Sequence, residues 1–201
     1  MHLSKRVLPF AAFAALLAAP MAARAESEFS VVLQGGATKY NRSLASGTDV
    51  GAEYGVRLGF MPSPIAGLEL GYLGSQNNVK AVIDTGGNTQ RLITNGVLAD
   101  LRLNLLPGAF TPYVFGGYGL TNFKVANEVI ASDGGLHGRT VSTIPLGGGL
   151  EGNLGAFKLG ARFQYNYLLT DQLFRTQNGS VTTGHNTDFY GVSVDLGASF
   201  R

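Results

Sequence analysis

Apolar and polar positions alternate with a period of two along most of this chain. Phe29, Val31 and Leu33 stand against Ser30, Val32 and Gln34; Tyr54, Val56, Leu58 and Phe60 stand against Glu53, Gly55, Arg57 and Gly59. Leu68, Leu70 and Tyr72 oppose Glu69 and Gly71, and Val97, Ala99, Leu101, Leu103 and Leu105 oppose Leu98, Asp100, Arg102 and Asn104. "PYVFGGYGLTNF" has strand composition, but Gly falls on both of its faces and leaves its phase ambiguous. Ile144, Leu146 and Leu150 then oppose Gly147, Gly149 and Glu151. Phe157, Leu159, Ala161, Phe163, Tyr165 and Tyr167 oppose Lys158, Gly160, Arg162, Gln164 and Asn166. The final segment sets Tyr190, Val192, Val194, Leu196, Ala198 and Phe200 against Gly191, Ser193, Asp195, Gly197, Ser199 and Arg201. Strict alternation over such lengths predicts eight half-buried β-strands, and no 3.6-residue period is sustained after residue 25.

The connections alternate too. "MPSPIAG", "LPGAFTP" and "NLG" are short and rich in Pro and Gly, the composition of tight turns. The others, at roughly 41–49, 76–90, 126–139 and 170–187, are longer and rich in Asn, Thr, Ser and Gly. In an antiparallel meander this places every long loop at one end and both termini at the other. Strands of about ten residues, tilted by about 45°, match the thickness of a hydrocarbon layer.

The first 25 residues have a different character. Lys5 and Arg6 precede an apolar stretch, and Ala23-Arg24-Ala25 forms a small-x-small site, the layout of a secretory signal peptide with cleavage expected before Glu26. Pro9 and Pro20 leave the apolar stretch short of the roughly 20 residues of a spanning helix. The reading is thus a signal peptide over 1–25 and one domain over 26–201. The chain has no Cys, which excludes disulfides, thiolate metal sites and a lipid-modified cysteine. Losing Lys5, Arg6 and Arg24 leaves twelve basic residues facing thirteen acidic ones. The balance lacks the basic stripe of a nucleic-acid binder, so no nucleic-acid partner is expected. Charged residues make up 14% of the chain, against about 25% in soluble domains.

Two inside-out architectures share this alternation: a soluble barrel with an apolar interior, and an outer-membrane barrel with its apolar face to lipid. The low charge, the clean segregation of long loops from short turns, and aromatics near strand ends favour the second. Phe60, Tyr113, Phe157 and Phe200 near the short turns, and Tyr40, Tyr72, Phe123, Tyr167 and Tyr190 near the long loops, are expected to form interfacial girdles. The fold class is therefore all-β, an eight-stranded antiparallel up-and-down transmembrane barrel. The last strand must pair with the first, because open edges in lipid cost several kcal/mol per unpaired group.

With its signal peptide, its eight amphipathic strands, "TPYVFGGYG" and the closing "YGVSVDLGASF", the chain resembles the small OmpA-like outer-membrane β-barrel proteins of Gram-negative bacteria. The resemblance implies insertion by the barrel-assembly machinery, with Tyr190, Val192, Val194, Leu196 and Phe200 as its assembly signal. In that family Phe is usually last, whereas Arg201 follows here. It implies periplasmic termini, extracellular long loops and outer-membrane lipid as a partner. No peptidoglycan-binding domain follows the barrel, so no cell-wall tether is expected.

Catalytic signals are thin. Gly147, Gly149 and Gly152 satisfy G-x-G-x-x-G, but a strand precedes a turn and another strand where the dinucleotide fingerprint needs a helix. His137 and His185 lie in long loops with no patterned nucleophile or carboxylate. The Asp-Gly loops match no cation motif and read as turn chemistry. No catalytic, cofactor or metal residue is assigned. The strand phases instead point Glu53, Glu69, Asp100, Glu151 and Asp195 inward together with Arg57, Arg102, Lys158 and Arg162, with Arg201 a further candidate at the rim. In an interior about wide enough for side chains to fill, such charges are expected to pair. The expected role is structural, with surface loops contacting partners that the sequence does not name. A small-solute channel is the alternative, and a lipid-modifying enzyme a third reading.

Overall fold

The computed structural model describes residues 27–41, 48–79, 90–126, 137–169, 174–176, 179–181 and 188–200. Eight strands close into a barrel: β1 (Glu28–Tyr40), β2 (Gly51–Met61), β3 (Ala66–Val79), β4 (Gln90–Asn104), β5 (Phe110–Ala126), β6 (Thr140–Leu154), β7 (Phe157–Leu168) and β8 (Phe189–Phe200). Each pairs antiparallel with its sequence neighbours, and β1 closes the ring on β8 from Phe29 opposite Phe200 to Tyr40 opposite Phe189. The proposed signal peptide and Arg201 lie outside the described residues.

Short turns are fixed by local hydrogen bonds. The Ser63 hydroxyl accepts the Ala66 N–H at 3.0 Å, and the Thr111 hydroxyl donates to the Gly108 carbonyl at 3.0 Å. The Asn104 amide donates to the Pro64 carbonyl at 2.9 Å. Gly155, at φ 66°, turns β6 into β7, a backbone region that glycine enters at no steric cost.

The two faces of the wall are inverted relative to a soluble barrel. Leu33, Leu58, Leu70, Val97, Leu120, Leu159, Val194 and Leu196 are exposed on the outside, whereas arginines, glutamates, aspartates and glutamines are buried inside. Such a wall is stable only in an apolar solvent. The ambiguous fifth strand resolves with Tyr113, Phe115, Thr121 and Phe123 inward and Val114, Tyr118 and Leu120 outward.

Two expectations need correction. Tyr40, Tyr113 and Phe123 are not in the girdles: each is buried in the lumen, because Tyr40 shares the phase of Gln34 and Thr38, and the other two share that of Phe115. One long connection is also shorter than read, and described residues of two others pair with one another. β3 continues to Val79 and β4 begins at Gln90, and His137–Gly138, Phe174–Thr176 and Gly179–Val181 form a small separate sheet by backbone pairing. Segments this short carry no alternation to read.

The outward phase generates a test. Val194 is 62% exposed near the middle of β8. Val194→Arg should lower the unfolding free energy of the barrel in liposomes by about 2–4 kcal/mol, the cost of a cation near the bilayer midplane. Unchanged stability in urea titrations would contradict the phase.

Candidate functional site in the barrel lumen

β2, β3, β4, β6, β7 and β8 each send charged side chains inward because every second residue of a strand shares a face. The centre of the arrangement is Glu69. Its carboxylate lies 2.7 Å from Arg162 Nη1, 3.2 Å from Arg102 Nη1 and 3.6 Å from Arg57 Nε. Each arginine has a further acid: Arg57 Nη2 reaches Asp195 at 2.6 Å, Arg162 Nη2 reaches Asp100 at 3.1 Å, and Arg102 forks onto Glu151 at 3.0 and 3.1 Å. Lys158 joins Glu151 at 2.8 Å to Glu28 at 2.6 Å. Bidentate and shared contacts of this kind combine charge with fixed geometry.

All nine charged residues read from the sequence lie buried in the lumen, and eight share this connected set. Glu53 stands apart. It receives the Gln34 amide at 3.5 Å and makes no ion pair among the described residues, while Gln34 also accepts from Arg57. Glu28 was not among the nine, since it precedes the first alternating residues and sits at the rim of β1. Of the residues read as an assembly signal, Val192, Val194, Leu196 and Phe200 face outward and exposed, and Tyr190 is half-buried.

Aromatic rings underlie the guanidinium groups. Arg102 Cζ is 3.8 Å from the Tyr113 ring centroid and Arg162 Cζ is 3.3 Å from that of Phe115, a cation–π arrangement. The rings fit because β6 opposes them with glycine. A Cβ on Gly147 would lie 2.8 Å from Phe115 Cζ, and one on Gly149 2.6 Å from Tyr113 Cζ. The apparent nucleotide motif is therefore a pair of sockets for two rings.

Towards the long-loop end the lining changes from charged to hydroxyl and amide, then to apolar. Thr143 donates to Thr121 at 2.7 Å, and Gln164 to Asn166 at 2.9 Å. Above them Tyr40, Phe123 and Phe189 pack ring against ring at centroid distances of 5.5 to 6.4 Å, walled by Leu92, Val141 and Leu168. The Tyr40 hydroxyl is not stranded, since it pairs with Thr94. Sequence reasoning missed this layer; the available signal was the phase of Tyr40 with Thr38. Between the layers lies a void of about 10 Å³ beside Arg57 and Asp100, room for about one water.

Two measurements check the energetics. Arg162→Ala or Asp100→Ala alone should each lower stability by about 3–5 kcal/mol by stranding a buried partner, and the double variant should lose less than their sum. Glu69→Gln, which takes the shared carboxylate from three arginines at once, should cost at least as much as either. Additive losses in urea unfolding would mean independent, solvated charges. Phe123→Ala should cost about 3–5 kcal/mol, the range for a truncated buried aromatic.

Residues 8–200 match the family model described as outer membrane protein beta-barrel domain. No curated protein matches the sequence. Among solved structures, Neisserial surface protein A is similar at 17% identity and a TM-score of 0.59, over 86% of this chain and 97% of that one. OprG of Pseudomonas aeruginosa is similar at 12% identity and a TM-score of 0.59, over 90% and 99%. Ail, the attachment invasion locus protein of Yersinia pestis, follows at 13% identity and 0.56, over 87% and 99%. At these identities the likeness is one of fold.

Proposed function

The chain belongs to the outer membrane protein beta-barrel domain family, and on that premise we propose that this outer-membrane barrel is a non-enzymatic structural component of the envelope. Its long loops face the cell exterior and its short turns the periplasm, after export by residues 1–25 and insertion by the assembly machinery through the Tyr190–Phe200 strand. The observation that carries the structural role is the filled lumen. Ion pairs occupy the short-turn half, and the Tyr40, Phe123 and Phe189 layer occupies the long-loop end. A solute would have to break buried ion pairs and displace three packed rings.

The same geometry supports surface contact as the variable part of the function. β3 to β6 have 14, 15, 17 and 15 residues, against 13, 11, 12 and 12 in β1, β2, β7 and β8. One side of the wall is taller, and the outward residues described near its long loops include, besides Ile93, the polar Gln76, Asn78, Arg91, Asn122, Lys124 and Thr140. This side offers an exposed polar face on a rigid scaffold, where contacts with partners concentrate.

Two experiments test the proposal. Reconstituted barrels in planar bilayers should give no steady single-channel steps; steady steps would replace the structural reading with a channel. Because the chain lacks cysteine, single cysteines report orientation. On intact cells an impermeant thiol reagent should label Asn78→Cys and spare Ala156→Cys, and the opposite pattern would reverse the orientation.

A further inference from the structure

The outer wall mixes large apolar side chains with small ones, and near the short turns of β5 to β8 the small ones leave a groove. There the outward series of β6 reads Leu150, Gly152, Leu154, and on β7 Ala161 follows Leu159. Gly152 and Ala161 leave a groove of about 450 Å³, bounded by Phe110, Leu154, Leu159 and Val194. That volume falls in the range of small-molecule sites.

Crowding does not dictate the glycine. A Cβ on Gly152 would have its nearest neighbours at 3.5 Å (the Leu159 carbonyl) and 3.6 Å (Phe110 Cε1), ordinary van der Waals distances. Gly147 and Gly149 differ, since the Phe163 and Ala161 carbonyls and the inward rings of Phe115 and Tyr113 fill their space. The space over Gly152 is left open on the side that faces lipid. It begins at the turn level of Leu154 and Phe110 and reaches Val194, near the middle of β8. The groove is thus continuous with the lipid-facing belt, runs inward from the headgroup level, and has apolar walls with Asn153 near its outer end.

We propose that this groove seats one acyl chain of a phospholipid from the leaflet on the short-turn side. A flexible alkyl chain fits a narrow apolar channel open along its length to other chains, and its headgroup would lie at the level of Asn153. The assignment rests on the lipid-exposed wall. It does not depend on the structural role or on which leaflet is periplasmic.

The test compares three proteins refolded in vesicles of phosphatidylethanolamine and phosphatidylglycerol, transferred to detergent and weighed by native mass spectrometry. These are the wild type, Gly152→Leu/Ala161→Leu, which fills the groove, and Ala99→Leu, which enlarges an exposed residue on β4. Folding is checked by heat-modifiable gel mobility. The wild type and Ala99→Leu should each retain one phospholipid, and the filled variant should lose it. A wild type without bound lipid, or a filled variant that keeps it, would overturn the proposal. So would a wild-type dimer that the filled variant converts to monomer, which would assign the groove to a second copy. Should the filled variant not fold, phospholipid with a photoreactive acyl chain decides on the wild type alone. Adducts should concentrate between Leu150 and Ala161, and an even spread around the belt would overturn the proposal.

Discussion

The structure depends on the narrowness of an eight-stranded ring. Eight strands leave an interior about as wide as the side chains that line it, so whatever points inward must fill the space and neutralise itself. A buried charge without a partner is far more expensive than the same charge in water. Three arginines around Glu69 meet that demand with Asp100, Glu151 and Asp195 and with the side-chain oxygens of Gln34, Asn104 and Gln164, whereas Glu53 has, among the described residues, only the Gln34 amide. Pairing of this kind contributes less net stability than its number of contacts suggests, since desolvation offsets much of the attraction. Its stronger effect is on register. A one-residue slip of a strand that lines the network would send its charged residues into lipid and its apolar residues into the network.

The glycine pattern follows from the same narrowness. An arginine crossing the lumen needs a surface to lie on, and Phe115 and Tyr113 provide it. A ring on β5 needs room from the neighbouring strand, and Phe115 pairs with Gly147 while Tyr113 pairs with Gly149. Large and small residues thus alternate across the β5–β6 seam, each ring taking the volume that a glycine yields. This tiling also explains why "FGGYG" resisted a phase assignment. Its glycines serve steric fit across the seam as much as the division between lipid and lumen.

Much of the barrel was legible because one face of every strand but the fifth is unambiguous. Where leucine and valine fill the outward positions, the phase follows, and with it the inward placement of Glu69, Asp100, Arg102, Glu151, Arg162 and Asp195. Legibility failed where one residue type suits two places. An aromatic at a strand end serves a lipid interface or a lumen cap equally well, and composition alone sent Tyr40 and Phe123 to the wrong side. It also failed for contacts between elements distant in sequence. Nothing local marks Glu28 as a partner of Lys158, or links the segments at 137–138 and 174–176.

The seam between β5 and β6 also carries a proline. Pairing runs from Phe110 opposite Gly152 to Gly116 opposite Leu146, and resumes from Gly119 opposite Thr143 to Asn122 opposite Thr140. The register is the same on both sides, so no residue is inserted and no bulge forms. The interruption falls at Ile144 and Pro145, and proline has no N–H to give its neighbour. Sheets usually confine proline to edges or bulges, and a closed barrel has no edge. Side chains tie the seam on either side of the break. Outside, the Tyr118 hydroxyl meets Ser142 Oγ at 2.7 Å; inside, Thr143 donates to Thr121 at 2.7 Å. Below it, Phe115 is held under Arg162, a residue of β7 anchored in turn to Glu69 and Asp100. The lumen network therefore helps hold together the wall that encloses it, at the place where the backbone ladder is interrupted.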